Sequence, residues 1–451
     1  MERSSTSHPL ITLEPRQLAA ALEAQGKLLR VRREVDPRFE LSAVIDAVQK
    51  GPNLPVLFER VKGTRFPVLS NVLGNYDLVA AMIGADSASL ARRWATLMDE
   101  NPAEFTKTFG NEQGDYEEIE LLELPQIVFA EKDGGPYITA GIIAVRDPST
   151  GIQNLSYHRS QIISNNELRC RLGTSGDLFR IQQAAEKRGE DLKVTMLIGV
   201  PPAVMLAGAT SYGPDVSELD IAARLAGGRF ALRRIESAKV DVPLASNFVI
   251  EGEILSGIRR PEGPYGDWLQ YYVPVADNHV LKVNRVLARK GAIFYANFGG
   301  STEEIITSGV PISGGIYRAI RAWVPTVRDV CCYPATQFCV VQMDKQFDGQ
   351  PRKAMLAAFG AEMERVLYCV VVDEDVNIHD PRDVIWAIST RCRPDRDIFQ
   401  IPEVPSASRD AHQSYWGRLG IDATKPLEWR DEFERRTVPD SATLDLDGYI
   451  N

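Results

Sequence analysis

Between Ile138 and Asn297 the chain keeps returning to one texture, short runs of β-forming residues broken by turns. Ile138–Arg146, Asn154–Arg159, Lys193–Gly199, Ala245–Ile254, His279–Leu287 and Ala292–Asn297 each read as a strand, with helical interruptions at Ile181–Arg188 and Ser217–Leu225. Short strands in close succession bury their apolar faces by closing on one another, so this region predicts a closed or split barrel. The flanks read differently. Thr12–Gln25, Glu40–Lys50, Leu78–Ile83 and Ser89–Met98 carry apolar residues at helical spacing and alternate with strand-like Lys27–Val35, Val56–Arg60 and Val68–Asn71. Thr12 is set to cap the first helix and Gly26 to end it. Thr106–Tyr116 is polar and reads as a linker, and Pro311–Tyr333 as a transitional, partly helical stretch. Phe338–Met343 and the unbroken apolar run Tyr368–Val372 are strands, and Arg352–Val366 and Asp380–Ile388 are helices, the last capped by Asp380 with Pro381 in its first turn. The Pro- and charge-rich stretch after Arg393 reads as a tail that packs on its own chain or reaches a neighbouring subunit. The expectation is an α+β multidomain chain: an α/β domain over 1–115, a β-barrel domain over 116–310, and an α/β domain with its tail over 311–451.

Charge and motifs narrow the function classes. The net charge of −10 argues against a general nucleic-acid binder, though a small anionic substrate still fits a local basic pocket. No run approaches the ~18–20 apolar residues that cross a bilayer. Met1–Ser7 is polar and no apolar segment follows, so neither a membrane span nor a secretory leader is expected and the reading is cytoplasmic. The six cysteines form no CxxC pair and no disulfide framework. They read as reduced, mostly buried thiols; Cys331-Cys332 could ligate a soft metal but fits a core better. Five histidines do not supply a His-rich zinc site, and no Walker A, G-x-S-x-G, H-E-x-x-H or dinucleotide fingerprint is present.

The densest chemical signal is Pro261-Glu262-Gly263-Pro264-Tyr265-Gly266-Asp267. Two carboxylates bracket a turn in which Gly263 and Gly266 admit unusual backbone angles and Pro264 fixes one. Such a turn is stiff enough to aim Glu262 and Asp267 at one point, and paired carboxylates suit acid–base work. The same residues also make an ordinary charged surface turn.

A longer series surrounds that turn. Lys132-Asp133-Gly134-Gly135-Pro136-Tyr137-Ile138-Thr139-Ala140-Gly141 is followed by Arg146-Asp147-Pro148, Asn154-Leu155-Ser156-Tyr157-His158-Arg159, Pro201-Pro202-Ala203 and Ser217-Glu218. Val35-Asp36-Pro37 precedes it, and Asp373-Glu374-Asp375-Val376-Asn377 and Asp383-Val384-Ile385-Trp386-Ala387 follow. In this order the set resembles the UbiD family of decarboxylases that use prenylated FMN, across nearly the whole chain. The resemblance implies a central flavin-reductase-like split β-barrel flanked by N-terminal and C-terminal α/β domains, assembled as a homodimer or homohexamer. It implies non-oxidative removal of CO2 from an aromatic, heteroaromatic or α,β-unsaturated carboxylic acid through a covalent adduct with prenylated FMN, reversible at high CO2. A flavin prenyltransferase would supply the cofactor.

By position in the family's motifs, the catalytic trio is Arg159, Glu262 and Asp267. The resemblance gives Arg159 the substrate carboxylate, Glu262 the proton-donor role and Asp267 the task of orienting both. It gives cofactor contacts to Asn154, Ser156, Arg159, Glu218 and Trp268, and a phosphate-anchoring metal to Asn154, Asp177 and Glu218. Asp177 stands where better-known members carry His, and an all-oxygen set suits Mn²⁺ or Mg²⁺, with K⁺ as a further cation. Plainer readings accompany each residue. Arg159 could pair with a surface acid, Asn154 could close a turn, and Glu218 could serve a helix start that Ser217 caps. His158 reads as structural, on the face opposite Arg159, and Trp268 as a pocket wall or a core indole. Two other classes share the features: an FMN oxidoreductase on the same barrel, and a non-catalytic flavin-binding subunit.

Overall fold

Two residues decide the shape of the central sheet. In the computed structural model, which describes residues 9–99, 106–109, 115–210, 212–213, 215–333, 337–404, 416–436 and 438, this sheet has nine strands. Eight of them run in the order Tyr137–Ile138, Ser160–Ser164, Glu167–Cys170, Ala276–Arg289, Phe248–Glu262, Leu192–Ile198, Ile142–Arg146, Gln153–Tyr157. The ninth, Tyr116–Ile119, pairs with Ala276–Arg289. Gln153–Tyr157 and Ser160–Ser164 are thus six lateral steps apart. In a flat sheet that is about 29 Å, at ~4.8 Å per strand. Only His158 and Arg159 join them, a link that reaches no more than about 11 Å. The row must therefore roll back on itself, giving the split barrel. Register shifts between Glu251 and Gly252, and between Ile254 and Arg259, interrupt the long antiparallel pair Phe248–Glu262 and Ala276–Arg289, and such bulges bend a strand.

The contacts divide the chain into two units, residues 1–315 with 332–336 and residues 316–331 with 337–451. In the first, the N-terminal elements and the barrel share one continuous apolar core that runs from Leu10 to Val310 in sequence. A four-stranded sheet orders Leu29–Val31, Val56–Phe58, Val68–Ser70 and Phe294–Tyr295, so the last of the barrel-region strands completes the N-terminal sheet. Helices Pro15–Ala24, Glu40–Lys50, Tyr76–Ile83 and Leu90–Asp99 accompany it. The cap of the first helix is Glu14 and not Thr12, because its carboxylate accepts the Arg16 and Gln17 amides while Thr12 lies in a preceding 3₁₀ turn. The expected linker is partly a strand: Thr106–Phe109 pairs in parallel with Arg229–Leu232. Residues 110–114 of that stretch lie outside the described ones.

The second unit holds a five-stranded sheet in the order Val327–Cys332, Phe338–Met343, Tyr368–Asp373, Arg418–Ala423, Ile398–Ile401. Its middle three strands are parallel. Arg418–Ala423 lies between Tyr368–Asp373 and Ile398–Ile401, so part of the stretch read as a tail is an inner strand. Residues 405–415 and 439–451 of that stretch lie outside the described ones. Asp380 caps the helix Pro381–Arg391 as its sequence predicts. All six cysteines are free thiols, and Cys331 and Cys332 are buried. No helix among the described residues is long and apolar enough to cross a membrane.

Candidate active site

Glu262 ends the strand Phe248–Glu262, and its side chain is fully enclosed. Four donors converge on it. Oε1 accepts from the Tyr137 hydroxyl at 2.7 Å and Arg159 Nε at 3.2 Å. Oε2 accepts from Arg159 Nη2 at 3.1 Å and Asn278 Nδ2 at 2.7 Å. A carboxylate has about four lone-pair positions, and here each is occupied. Arg159 leaves Nη1 facing Asp267 Oδ2 at 3.5 Å. The guanidinium also lies over the Tyr265 ring, 4.7 Å from its centroid. Burial works against the Arg159 cation, but the hydrogen bonds and charge of Glu262, and the charge of Asp267, outweigh it and raise its ionisation. The side chains of Arg159 and Asp267 remain 10% and 17% exposed, so this end of the trio is accessible while Glu262 is not.

The turn that carries Asp267 is held from behind. Gly263 adopts φ +103, as its composition suggests, whereas Gly266 has no positive φ and is instead confined by Ala130 and Asp133. Asp133 accepts the Gly266 amide at 2.9 Å through Oδ1 and the Ala130 amide at 2.9 Å through Oδ2. The Gly134 amide donates to the Pro264 carbonyl at 2.8 Å. A Cβ on Gly134 would sit 2.2 Å from the Gly263 carbonyl oxygen, so only glycine permits this approach. Asp267 closes its own turn: its carbonyl accepts the Gln270 amide and its Oδ1 accepts the Trp268 amide at 2.7 Å. Trp268 is half-buried.

A second polar group lies along Gln153–Tyr157, where Gln153 and Leu155 are buried while Asn154 and Ser156 are part-exposed. Asn154 Nδ2 donates to Glu218 Oε1 at 3.1 Å, and Glu218 Oε2 accepts the Leu155 amide at 2.7 Å. Ser217 caps the helix Glu218–Leu225, which holds Glu218 in its first turn. Burial pushes the Glu218 carboxyl up to about 7, against the Leu155 amide and with the charge of Asp177 adding to the rise. Asp177 starts the helix Asp177–Glu186 and its Oδ1 is engaged by Arg180 Nη2 at 3.1 Å. Among the described residues no three His, Cys, Asp or Glu side chains form a ready-made metal centre.

His158 lies between strands and is buried; burial pulls its imidazole down to about 4 and keeps it neutral. Its Nδ1 faces the Arg171 carbonyl at 3.1 Å, so that nitrogen carries the ring proton and Nε2 accepts. Ser156 Oγ lies 2.9 Å from this Nε2 and 3.0 Å from Asn154 Oδ1. Ser156 has one proton and faces two acceptors, so the pair is one hydrogen short.

The residues that the resemblance assigns to catalysis, cofactor and metal thus fall into two groups, the Arg159–Glu262–Asp267 cluster with Trp268 next to it in sequence, and the Asn154–Ser156–Glu218 group with the charge of Asp177 acting on it. Two contacts of Glu262 escaped the sequence. Tyr137 sits inside the quoted Gly135-Pro136-Tyr137 segment, yet its role needs the strand pairing. Asn278 is invisible until Phe248–Glu262 and Ala276–Arg289 are laid side by side, Arg260 opposite Asn278.

Comparison with known proteins bears on the same regions. Models of the 3-octaprenyl-4-hydroxybenzoate carboxy-lyase (UbiD) N-terminal domain, Rift-related domain and C-terminal domain match residues 19–98, 100–302 and 306–423. The chain is 34% identical to anhydromevalonate phosphate decarboxylase of Methanothermobacter thermautotrophicus over 416 residues, covering 90% of this chain and 96% of that one. The Methanosarcina mazei protein of the same name is 33% identical, covering 94% and 99%. The solved UbiD-class enzyme HmfF from Pelotomaculum thermopropionicum, in complex with FMN, superposes with a TM-score of 0.90 at 34% identity, covering 96% of this chain and 99% of that one. An evolved dimeric form of the same enzyme, in complex with prFMN, gives 0.87 at 34% identity, covering 97% and 100%.

Proposed function

Because this chain belongs to the UbiD family of carboxy-lyases, we propose that it removes CO2 from an aromatic, heteroaromatic or α,β-unsaturated carboxylic acid at the Arg159–Glu262–Asp267 cluster. One observation carries the site: a single guanidinium lies between two carboxylates, one from a strand end and one from a turn. A flavin is the cofactor, and its prenylated form, when bound, supplies the carbon that holds the substrate while CO2 departs. This chain's residues do the rest. Arg159 commits Nε and Nη2 to Glu262, and of the two hydrogens on Nη1, which faces Asp267, the second is left for the substrate carboxylate. Enclosure keeps that ion pair away from water and strengthens it.

The two acids divide the work by their surroundings. The sequence suggested Glu262 as proton donor and Asp267 as its orienter. The four donors on Glu262 favour the reverse, because they leave no oxygen position free to carry a proton. Asp267 is the accessible acid, and on this reading it delivers the proton to the carbon that CO2 leaves. Glu262 anchors Arg159.

For the metal, the missing hydrogen at Ser156 is informative. A cation on Asn154 Oδ1 removes that oxygen as a claimant, and Ser156 then donates to His158. Asn154, Glu218 and Asp177 offer oxygen donors only, which suits Mn²⁺ or Mg²⁺ and would neutralise a cofactor phosphate. K⁺ as a second cation, a flavin prenyltransferase as cofactor source, a homodimer or homohexamer, and a cytoplasmic setting belong to the same reading. So does the working division into residues 1–115, 116–310 and 311–451, with the barrel segment binding cofactor and the last segment's tail in assembly.

The test is a panel of unsaturated and aromatic carboxylic acids, given to protein produced alongside a flavin prenyltransferase, with CO2 and product masses recorded. At least one acid should lose CO2 without added reductant, and Arg159→Ala should abolish it. Silence across the panel, or an Arg159→Ala protein as active as the parent, would sink the reading.

A further inference from the structure

Behind Asp267 lies a third carboxyl. Glu304 stands in the first turn of the helix Thr302–Trp323 and its Oε2 accepts the Gly300 amide at 2.6 Å. Among the described residues no donor reaches its Oε1. Gly299 and Gly300 press directly on the turn of Asp267. A Cβ on Gly299 would lie 2.4 Å from the Gly266 carbonyl oxygen and 3.1 Å from the Asp267 carbonyl carbon. Gly300 adopts φ +73, and a Cβ there would lie 3.2 Å from the Trp268 oxygen. Its carbonyl accepts Gln270 Nε2 at 3.2 Å, and Gln270 in turn donates its own amide to the Asp267 carbonyl at 2.7 Å. One chain of contacts therefore runs from the Glu304 carboxylate, through the Gly299-Gly300 backbone, to both ends of the turn that presents Asp267.

We propose that Glu304 is a positioning residue for Asp267, acting through the Gly299-Gly300 turn. The consequence for catalysis rests on the decarboxylase reading above; the mechanical link does not. Asp267 faces Arg159 across 3.5 Å, and the turn that carries it, closed by the Trp268 and Gln270 amides, sets where its carboxylate lies. A carboxylate that grips Gly300 fixes the surface against which the turn packs. Burial pushes the Glu304 carboxyl up to about 7, opposed by the Gly300 amide, and the charge of Asp267 adds to the rise while that of Arg159 counters it. Burial also raises the Tyr265 phenol, with Glu304 the largest charge acting on it, so these groups share one electrostatic neighbourhood.

Hydrogen exchange on the full-length, cofactor-loaded protein tests the link, because the Asp267 and Gln270 amides are protected by bonds inside the turn. In Glu304→Leu, exchange over residues 266–271 should rise by about tenfold or more, and kcat should fall by about tenfold or more with KM within about threefold. Glu304→Gln keeps an oxygen that accepts the Gly300 amide, so both quantities should stay within about threefold of the parent. If the Leu protein does not fold, Glu304→Asp, whose carboxylate falls about 1.5 Å short, takes its place. Unchanged exchange over 266–271, raised exchange with unchanged kcat, or a Gln protein as loose as the Leu protein would each overturn the proposal. Should no acid be turned over by the parent, the decarboxylase reading fails while the exchange result still decides the link.

Discussion

The hydroxyl oxygen of Tyr137 lies 2.7 Å from Glu262 Oε1, although 125 residues separate them in sequence. Burial and the charge of Glu262 push the phenol well above its ordinary range, so it stays a donor at any working pH. Tyr137→Phe leaves a buried carboxylate oxygen one donor short, which costs about 1–3 kcal/mol. Urea denaturation should show that loss, and CO2 release should fall by about tenfold as Arg159 loses its fixed anchor.

Exchanging each acid for its amide separates their roles. Asp267→Asn should allow at most about one CO2 per active site and then stall, because the departing step precedes the missing proton. Glu262→Gln sets an NH₂ group among donors and frees Arg159, so it should give no burst at all. Rapid-quench measurement of CO2 in the first turnover distinguishes them. A burst in Glu262→Gln and none in Asp267→Asn would restore the proton-donor role to Glu262.

Gly134→Ala is the smallest change that should disturb the turn from outside the trio. The new methyl would meet the Gly263 carbonyl at 2.2 Å, and backbone cannot yield as a side chain does. Overpacking of this kind costs about 1–3 kcal/mol. A lowered melting temperature together with lost CO2 release is expected, whereas Gly360→Ala, in the helix Gln350–Ala361 with open space around it and no positive φ, should spare both.

His279 gives a pH signature of stability. It is 5% exposed, stands edge-on to Phe179, and neither ring nitrogen has a partner among the described residues. Burial, then the charge of Arg259, pulls its folded-state pKa from 6.5 to about 4. The unfolded chain therefore binds a proton that the folded chain refuses, and stability present above 6.5 is lost as pH falls toward 4. His279→Phe removes that loss and an unpaired buried group worth about 1–3 kcal/mol. Stabilities of the two proteins should differ by a constant amount above 6.5 and part further below it, with Phe the more stable throughout.

Cation retention should follow Glu218. Its carboxyl, raised to about 7, must be ionised to hold a metal, so retention weakens as pH drops through that value. Mn²⁺ content after gel filtration should be higher at about pH 8 than at about pH 5.5. Asn154→Ala should weaken binding by about tenfold or more by removing one of the oxygen donors. Equal Mn²⁺ content in all these samples would remove the metal from the Asn154–Glu218 group.

How much of this was legible varies with the range of the contact. Glu40–Lys50 shows its helix in its own apolar spacing and has the predicted bounds. The Glu262–Asp267 turn is local, and the motif around it announces both acids. Thr106–Phe109 was misread because its strand character comes from Arg229–Leu232, more than a hundred residues on. Arg418–Ala423 was misread because its charges suggested surface, while its partner Tyr368–Asp373 makes it interior. Asn278 and Glu304 are ordinary polar residues until a neighbouring strand and a glycine turn give them something to hold.

The short crossing at 158–159 has a practical corollary for anyone reshaping this enzyme. A bridge with no slack cannot take an insertion without springing the seam it closes, so the guanidinium is the fixed jaw of the vise. The opposing jaw, residues 267–271, keeps its length because Gly299 and Gly300 grip it from behind, but its exposed Tyr271 side chain can change bulk. Libraries aimed at new acids belong there, with the strand 153–157 left untouched.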